Sequence, residues 1–363
     1  MGSGLREAGP AVLHLVDCSL LVPPRPGHDG RARYPMLETL RGYGLERLAE
    51  VGEQPAAAGA LARYALQVAE EASAGLETSA GELAAAQWLD AEDATTQQAL
   101  DWALAHDHVA ALRLAVALSG WWQLRGRKPA GYALMCAATE HAAPGSDVWC
   151  TAQVRLGDAA NDAGLVALGH YTAVRDALAA AAPSPTLIDC LAGRAGTLIK
   201  LGRIPEATED ARRALAMARE IGYLAGEAKA LVNLSFAASR TGDAKKALSW
   251  ARQAQRIDPA SIPGWVARLC SYMLTGCLAQ AGDVAAAKHS CADVLARARQ
   301  AGEVSLQADC LAVMADLELR ASRIPEAGAC LRESFEITTS TGSALTLDYC
   351  LVYCGHLCAA AGR

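Results

Sequence analysis

A small turn residue recurs every forty residues along the second half of this chain, at Gly202, Gly242, Gly282, Ser322 and Gly362. Five residues after each of the first four stands an alanine, at Ala207, Ala247, Ala287 and Ala327. Ala167 keeps the register one period earlier, although Asp162 replaces the glycine. The stretches GRIPEA (202–207) and SRIPEA (322–327) repeat almost letter for letter. A fixed period of this length restricts a chain to stacked copies of one supersecondary unit, because no single copy buries its apolar face alone.

The unit reads as a helical hairpin. Glycine ends one helix in the left-handed conformation that residues with a Cβ reach only under strain. Pro205 and Pro325 then fall at the start of the next helix, where a missing N–H costs nothing. The alanine marks the place where the two helices cross too closely for a larger side chain. Apolar residues at helical spacing precede the turns (Leu231, Leu234, Ala238; Leu274, Leu278; Leu311, Met314) and follow them (Ala207, Ala211, Ala214, Leu215, Ala218).

Composition agrees with an all-α chain. Hydrophobic residues make up 52% but aromatics only 5%, which suits closely approaching Ala-rich helices and not a β-sandwich. Lys and Arg number 33 against 39 Asp and Glu, so the basic excess of a nucleic-acid-binding domain is missing. The twelve cysteines are a low fraction of 363 residues and fall on apolar helical faces, so they read as reduced, buried small hydrophobes of a cytoplasmic protein. The apolar run Ala11 to Val22 contains His14 and Asp17, is too short to span a bilayer, and lacks the flanks of a signal peptide.

The hairpin unit resembles the tetratricopeptide repeat. The small residue of that motif's first helix matches Ala195, Ser235, Thr275, Ala315 and Gly355; its central alanine matches Ala207 and its counterparts; its closing proline survives as Pro259 in RIDP. The period is forty residues where the motif has about 34, with the extra residues expected between hairpins, as in EIGYLAGE at 220–227. The resemblance implies a right-handed helical solenoid that binds partners along a concave groove.

The front half carries a second resemblance. Residues 11–22 (AVLHLVDCSLLV) read as a helix running into a strand, followed by the turn-rich PPRPGHDGRAR and a helix to residue 53. That helix is expected to bury Leu37, Leu40, Leu45, Leu48 and Val51; Gly42 within it costs about 1 kcal/mol of helix propensity. This segment resembles the winged helix that follows the nucleotide-binding domain in actinobacterial STAND-type transcriptional regulators, LuxR-like and SARP-like. Residues 88–127 are similar to the helical linker before their sensor repeats, with DATTQQ (93–98) departing from the family's Asp-Asn-Leu-Arg. The expected organisation is a partial winged helix at 1–53, a helical linker and first repeat block at 54–150, and repeats of forty residues at 151–363. The family's ATPase module would precede this region; no G-x-x-x-x-G-K-[ST] stretch is present to cradle a phosphate. The chain thus reads as a fragment or a truncated relative of such a regulator.

Groove positions project from the register. Lys200, Arg240, Gln280 and Arg320 form one row, whose three cations suit an acidic peptide or anionic effector, although each also falls in the last turn of a helix, where a cation meets the dipole favourably. Lys229, Asp309 and Asp316 are further candidates, with Asp189, Tyr349 and His356 behind them. Cys350, Cys354 and Cys358 recur at i, i+4 and i+8 near His356, yet Cys190, Cys270, Cys310 and Cys350 share a repeat column with Ala230, which marks them as packing residues and not metal ligands. His106-Asp107-His108 reads as a polar helix–helix turn, Trp121 and Trp122 as core anchors, and His14 as a partly buried core histidine. No G-x-S-x-G or H-E-x-x-H signature is present, and neither metal nor cofactor is expected.

The sequence therefore points to a binding module and not an enzyme: the regulatory, effector-binding region of a STAND-type regulator, or a stand-alone tetratricopeptide adaptor. Expected partners are a protein or small effector in the groove and the nucleotide-binding domain of a parent regulator. A dimer through the uncapped final face (Cys350, Leu351, Cys354, Leu357, Cys358) is a further option, whereas direct nucleic-acid and membrane contacts are not expected. Residues 1–53 carry six Arg against seven Asp and Glu, too balanced for a phosphate-tracking surface.

Overall fold

The computed structural model describes residues 4–27, 30–160, 163–341 and 344–360. Asp162 and Gly362 lie outside them, and the side chains of Tyr349 and Leu357 are likewise not described. Eighteen α-helices, one 3-10 turn (Pro259–Ser261) and one short hairpin account for the ordered elements among these residues.

The repeat region is the tetratricopeptide-like solenoid that the forty-residue period predicts. Its hairpins are α8 (Asp147–Ala159) with α9 (Gly164–Ala177), α10 (Pro185–Lys200) with α11 (Ile204–Ile221), and α12 (Leu224–Arg240) with α13 (Ala244–Gln255). Next come α14 (Gly264–Gln280) with α15 (Val284–Ala301) and α16 (Val304–Arg320) with α17 (Ile324–Thr341), and α18 (Ala344–Ala360) stands last. Gly202, Gly242 and Gly282 adopt φ of 77°, 80° and 86°, and Ser322 accepts the same left-handed geometry at 58°. Ala167, Ala207, Ala247, Ala287 and Ala327 are all fully buried where paired helices cross. So are Ala195, Ser235, Thr275 and Ala315 of the inner helices, whereas Gly355 on α18 is exposed.

The residues beyond the ordinary period separate hairpins at 256–263, between α13 and α14, but not at 220–227. Helix α11 runs to Ile221 and α12 begins at Leu224, so EIGYLAGE is helical except for Gly222 and Tyr223. Alanine, glutamate and arginine are strong helix formers, and the extra length goes into helices of 17 and 18 residues. Gly222 and Gly302, both with φ of 70°, cap the outer helices and were not singled out by the register argument.

The N-terminal block consists of α3 (Gln54–Leu76), α4 (Glu82–Ala91), α5 (Asp93–His106), α6 (His108–Leu124) and α7 (Lys128–Thr139). Trp121 and Trp122 are buried at its centre, and Trp121 donates to Asp90 Oδ1 at 2.8 Å. Asp107 caps α6 by accepting from the Ala110 backbone N–H at 3.0 Å, while His106 stacks on Trp102 and His108 lies against His141. The polar-turn and core-anchor readings of these residues match their places.

Ahead of this block lie α1 (Gly4–Asp17), an antiparallel pair β1 (Arg25–Pro26) and β2 (Ala32–Arg33), and α2 (Glu38–Glu50). Three expectations need correction here. No strand follows α1 directly: Ser19 turns the chain at φ 58°, and the Leu20 and Leu21 amides bond back to the Leu15 carbonyl. Helix α2 buries none of its residues; Leu37 and Val51 are 60% and 67% exposed, and Leu45 is exposed too. The main neighbour of this helix among the described residues is α3, a single layer that leaves much of its apolar face uncovered. His14 is exposed, with Cys18 Sγ 3.7 Å from its Nε2, because the same thin arrangement leaves α1 half uncovered.

One feature of the architecture has no sequence signal. The solenoid curves until the N-terminal block meets α14 to α16 and closes the chain on itself. Arg268 of α14 donates to both Glu82 carboxylate oxygens at 2.6 and 3.0 Å and to Glu303 at 2.5 Å. Ser79 Oγ sits 2.6 Å from the Pro259 carbonyl oxygen and 3.0 Å from that of Ile262. Arg125, held in a fork by Asp90, donates to the Ala301 and Gly302 carbonyls at the end of α15, at 2.7 and 3.3 Å.

Candidate functional site

The closed solenoid surrounds a chamber of about 570 Å³. Its wall is built by the inner helices α8, α10, α12, α14 and α16, with Gln123 and Lys128 of the N-terminal block completing it. Helical periodicity explains the wall's composition. Residues turned outward along each inner helix pack on the outer helices, and those turned inward are free to vary.

Helix α10 contributes small residues, Ala192, Gly193 and Gly196, and so leaves space in front of it. Gly193 does more than leave space. With Gly157 of α8 it clasps the Tyr171 ring, and a Cβ at either glycine would lie within 2.6 Å of ring carbons. The facing helices supply bulk, with Phe236 on α12 and Trp265, Leu269, Tyr272 and Met273 on α14. Ile199, Val232 and Leu306 extend this apolar lining.

The polar groups of the wall are mostly committed to one another. Lys229 forms an ion pair with Asp189, and its ammonium also lies over the Trp265 ring at 5.4 Å. Burial pulls the Lys229 pKa down, but the Asp189 carboxylate and the Tyr223 hydroxyl outweigh it and leave the group above its ordinary value. Burial pushes Tyr223 up to about 12. Asp158 accepts from the Tyr171 hydroxyl at 2.6 Å and faces Arg155 at 3.7 Å; burial still leaves its carboxyl above the usual range. Glu303 is likewise raised by burial despite the Arg268 guanidinium beside it. Asn233 donates to the Ala192 carbonyl at 2.8 Å. Opposite charges held this closely in a partly enclosed space favour a rigid, pre-formed wall.

The row projected from the sequence is divided by the structure. Lys200 and Arg240 end α10 and α12 and line the chamber, as do Lys229, Asp309 and Asp189. Gln280 instead exchanges hydrogen bonds with Ser239 at 2.7 and 2.9 Å. Arg320 pairs with Asp316 four residues back at 2.7 Å and reaches the Ala279 carbonyl at 3.4 Å. These three do not line the chamber. His356 is exposed on α18, and Tyr349 lies outside the described side chains. Cys350 is buried with its sulfur 3.2 Å from Ser334 Oγ, while Cys354 is half-buried and Cys358 exposed. Cys18 is exposed as well, so two cysteines depart from the expected burial.

Sequence reasoning missed the aromatic wall and the contribution of Gln123, Lys128 and Glu303. Phe236, Trp265 and Tyr272 occupy different repeat columns, and Gln123, Lys128 and Glu303 belong to the ring closure, which joins residues far apart in sequence.

Comparison with known proteins agrees with this fold. Residues 187–260 match the tetratricopeptide repeat family model. A Rap protein solved in complex with Competence and Sporulation Factor superposes with a TM-score of 0.55 at 12% identity, covering 88% of this chain and 97% of that one. A tetratricopeptide repeat protein from Parabacteroides merdae covers 81% and 98% respectively, at 11% identity and a TM-score of 0.49. A STAND protein with a tetratricopeptide repeat sensor from Pyrococcus horikoshii aligns over 97% of this chain and 55% of its own length, at 13% identity and a TM-score of 0.46. No curated protein sequence matches the chain.

Proposed function

We propose that the chain is the effector-binding sensor of a bacterial STAND-type transcriptional regulator, and that an effector held in the central chamber stabilises the closed solenoid. Closure is the observation that carries the reading. The chamber wall is assembled from both ends of the ring, Gln123 and Lys128 on one side and Glu303, Ser305, Leu306 and Asp309 on the other. A ligand that touches both sides binds the closed form better than an opened one, and that difference in affinity is what shifts a conformational equilibrium.

The chamber volume lies within the roughly 300–1,000 Å³ usual for small-ligand sites. The similarly folded Rap protein is recorded in complex with Competence and Sporulation Factor, which fits a solenoid that takes up an effector. The STAND assignment rests on the resemblance of residues 11–53 and 88–127. Under it, residues 1–53 act as a winged-helix segment against a nucleotide-binding domain, 54–150 as linker and first repeat block, and 151–363 as sensor. Tetratricopeptide repeats are interaction scaffolds, and the mutually paired acids of the wall are placed for rigidity, not for turnover. Among the described residues no helix is long and apolar enough to cross a membrane.

A thermal-shift screen of peptides and metabolites tests the reading. A true effector raises the melting temperature of the chain and slows hydrogen exchange at residues 79–92 and 257–268, on both sides of the closure. Compounds that stabilise the chain without protecting those segments contradict it. A stand-alone adaptor is the second reading, favoured by Leu351 and Val352, which are more than half exposed on α18. A concentration-independent dimer, dissociated by Leu351→Glu, would support that alternative.

A further inference from the structure

The charge distribution of the chamber narrows the chemistry of its occupant; the inference rests on the sensor reading above. Four carboxylates line the wall, and all are engaged. Asp189 holds Lys229, Asp158 accepts from Tyr171, Glu303 accepts from Arg268, and Asp309 also has a partner. Of the five lining cations, Lys229 and Arg155 are ion-paired and Lys200 is engaged. Arg240 has no hydrogen bond or ion pair among the described residues, whereas the Lys128 charge acts on the Glu303 carboxylate. Arg240 is therefore a lining cation without a counter-charge among the described residues.

Arg240 is also well sited to receive a ligand. It ends α12 four residues, one helical turn, beyond Phe236, and Lys200 occupies the same position on the neighbouring α10. Below this cationic mouth the wall turns apolar, through Ile199, Val232, Phe236, Leu269 and Met273. Gly196 also lines the chamber, close against α12: a Cβ there would lie 3.3 Å from Asn233 Oδ1.

We propose that the chamber binds an elongated apolar molecule with a single anionic terminus, its body against the Phe236–Met273 wall and its carboxylate at Arg240. Both a short apolar peptide with a free C-terminus and an acyl carboxylate have this chemistry. A guanidinium meets a carboxylate through two parallel N–H donors, which gives the contact geometric specificity.

Paired probes test the proposal on the whole chain by isothermal titration calorimetry: decanoate against decanamide, and N-acetyl-trileucine against its C-terminal amide. The acid of at least one pair is expected to bind about three- to tenfold tighter than its amide, a difference of roughly 0.6–1.4 kcal/mol. Whichever pair shows the preference identifies the ligand source. Arg240→Gln, at an exposed helix end, is expected to erase the preference for acid over amide. Gly196→Leu pushes a bulky side chain into the chamber lining and should abolish binding of both forms. Equal affinity for acid and amide in the unmodified chain overturns the anionic terminus but leaves a chamber-bound effector standing. Absence of binding by all four probes, or binding that survives Gly196→Leu, overturns the proposal, the latter because the probes then occupy another apolar surface such as the exposed face of α2.

Discussion

The contacts between successive hairpins and the contact that closes the ring are made of different materials. Between hairpins the interface is a continuous apolar spine, with fully buried alanines at each crossing and Leu187, Ile188, Leu191 and Leu198 filling α10. At the closure the interface is polar. A guanidinium is shared by two carboxylates, a serine hydroxyl lies between two carbonyls, and an arginine caps the end of α15. Apolar burial is non-directional and contributes to stability in proportion to area. Desolvated ion pairs contribute little net stability but penalise every geometry in which one partner is left alone. The spine therefore keeps the chain folded, and the seam decides whether the folded chain is open or closed.

The largest effect should follow from damage to the spine. Leu191→Ala, at a fully buried site, is expected to cost about 2–5 kcal/mol, read as a lower urea midpoint. Arg268→Ala tests the other side. It leaves Glu82 and Glu303 with their charges buried, which in a rigid interior costs roughly 3–5 kcal/mol. Here the ring relieves that cost by opening, so the melting temperature should fall less than in Leu191→Ala, while the radius of gyration from small-angle scattering rises. An equally large melting shift without expansion would break the distinction.

A smaller effect sharpens the spine's turn chemistry. Ser322 holds the left-handed geometry that glycine holds at the three equivalent turns, so Ser322→Gly is expected to raise stability by about 0.5–1 kcal/mol in urea titration. The mildest perturbation is chemical. Cys18 and Cys358 are exposed, whereas seven cysteines including Cys190, Cys277, Cys291 and Cys310 are buried. Burial also pushes the Cys190 and Cys270 thiols up to about 12, away from the reactive thiolate. Ellman's reagent should titrate the two exposed thiols quickly in the native protein. Cys190, Cys291 and Cys310, deep in the spine, should stay unreactive even in Arg268→Ala, provided that opening the seam does not loosen the hairpins.

How much of this was legible in the sequence follows the same division. The spine announces itself, because every crossing repeats one steric demand at one spacing and alanine answers it each time. Left-handed turns at 202, 242, 282 and 322 were readable for the same reason. The surplus at 220–227 goes into helices, since Ala218, Arg219 and Glu220 are plain helix formers, whereas at 256–263 it does separate two hairpins; the repeat motif alone does not distinguish the two. The seam was invisible. Glu82 and Arg268 are 186 residues apart, each is a single charge among many, and no periodicity links them. Of the candidate site, the positions that inherit the register were found (Lys200, Arg240, Lys229, Asp309), whereas those that depend on closure (Gln123, Lys128, Glu303) were not. Amphipathic pattern also misled at α2, whose apolar side looks like a core face but is only partly covered, with Leu40 and Leu48 half-buried and Leu37, Leu45 and Val51 exposed.

Closure itself can be measured by spin labels at Ala80 and Ala260, exposed residues beside the Ser79 contact on either side of the seam, with Cys18 and Cys358 replaced by serine. A ring held by Arg268 predicts one short, narrow distance distribution that lengthens and broadens in Arg268→Ala. A long, broad distribution in the otherwise unmodified chain, insensitive to Arg268→Ala, would contradict the closed solenoid and the chamber that depends on it.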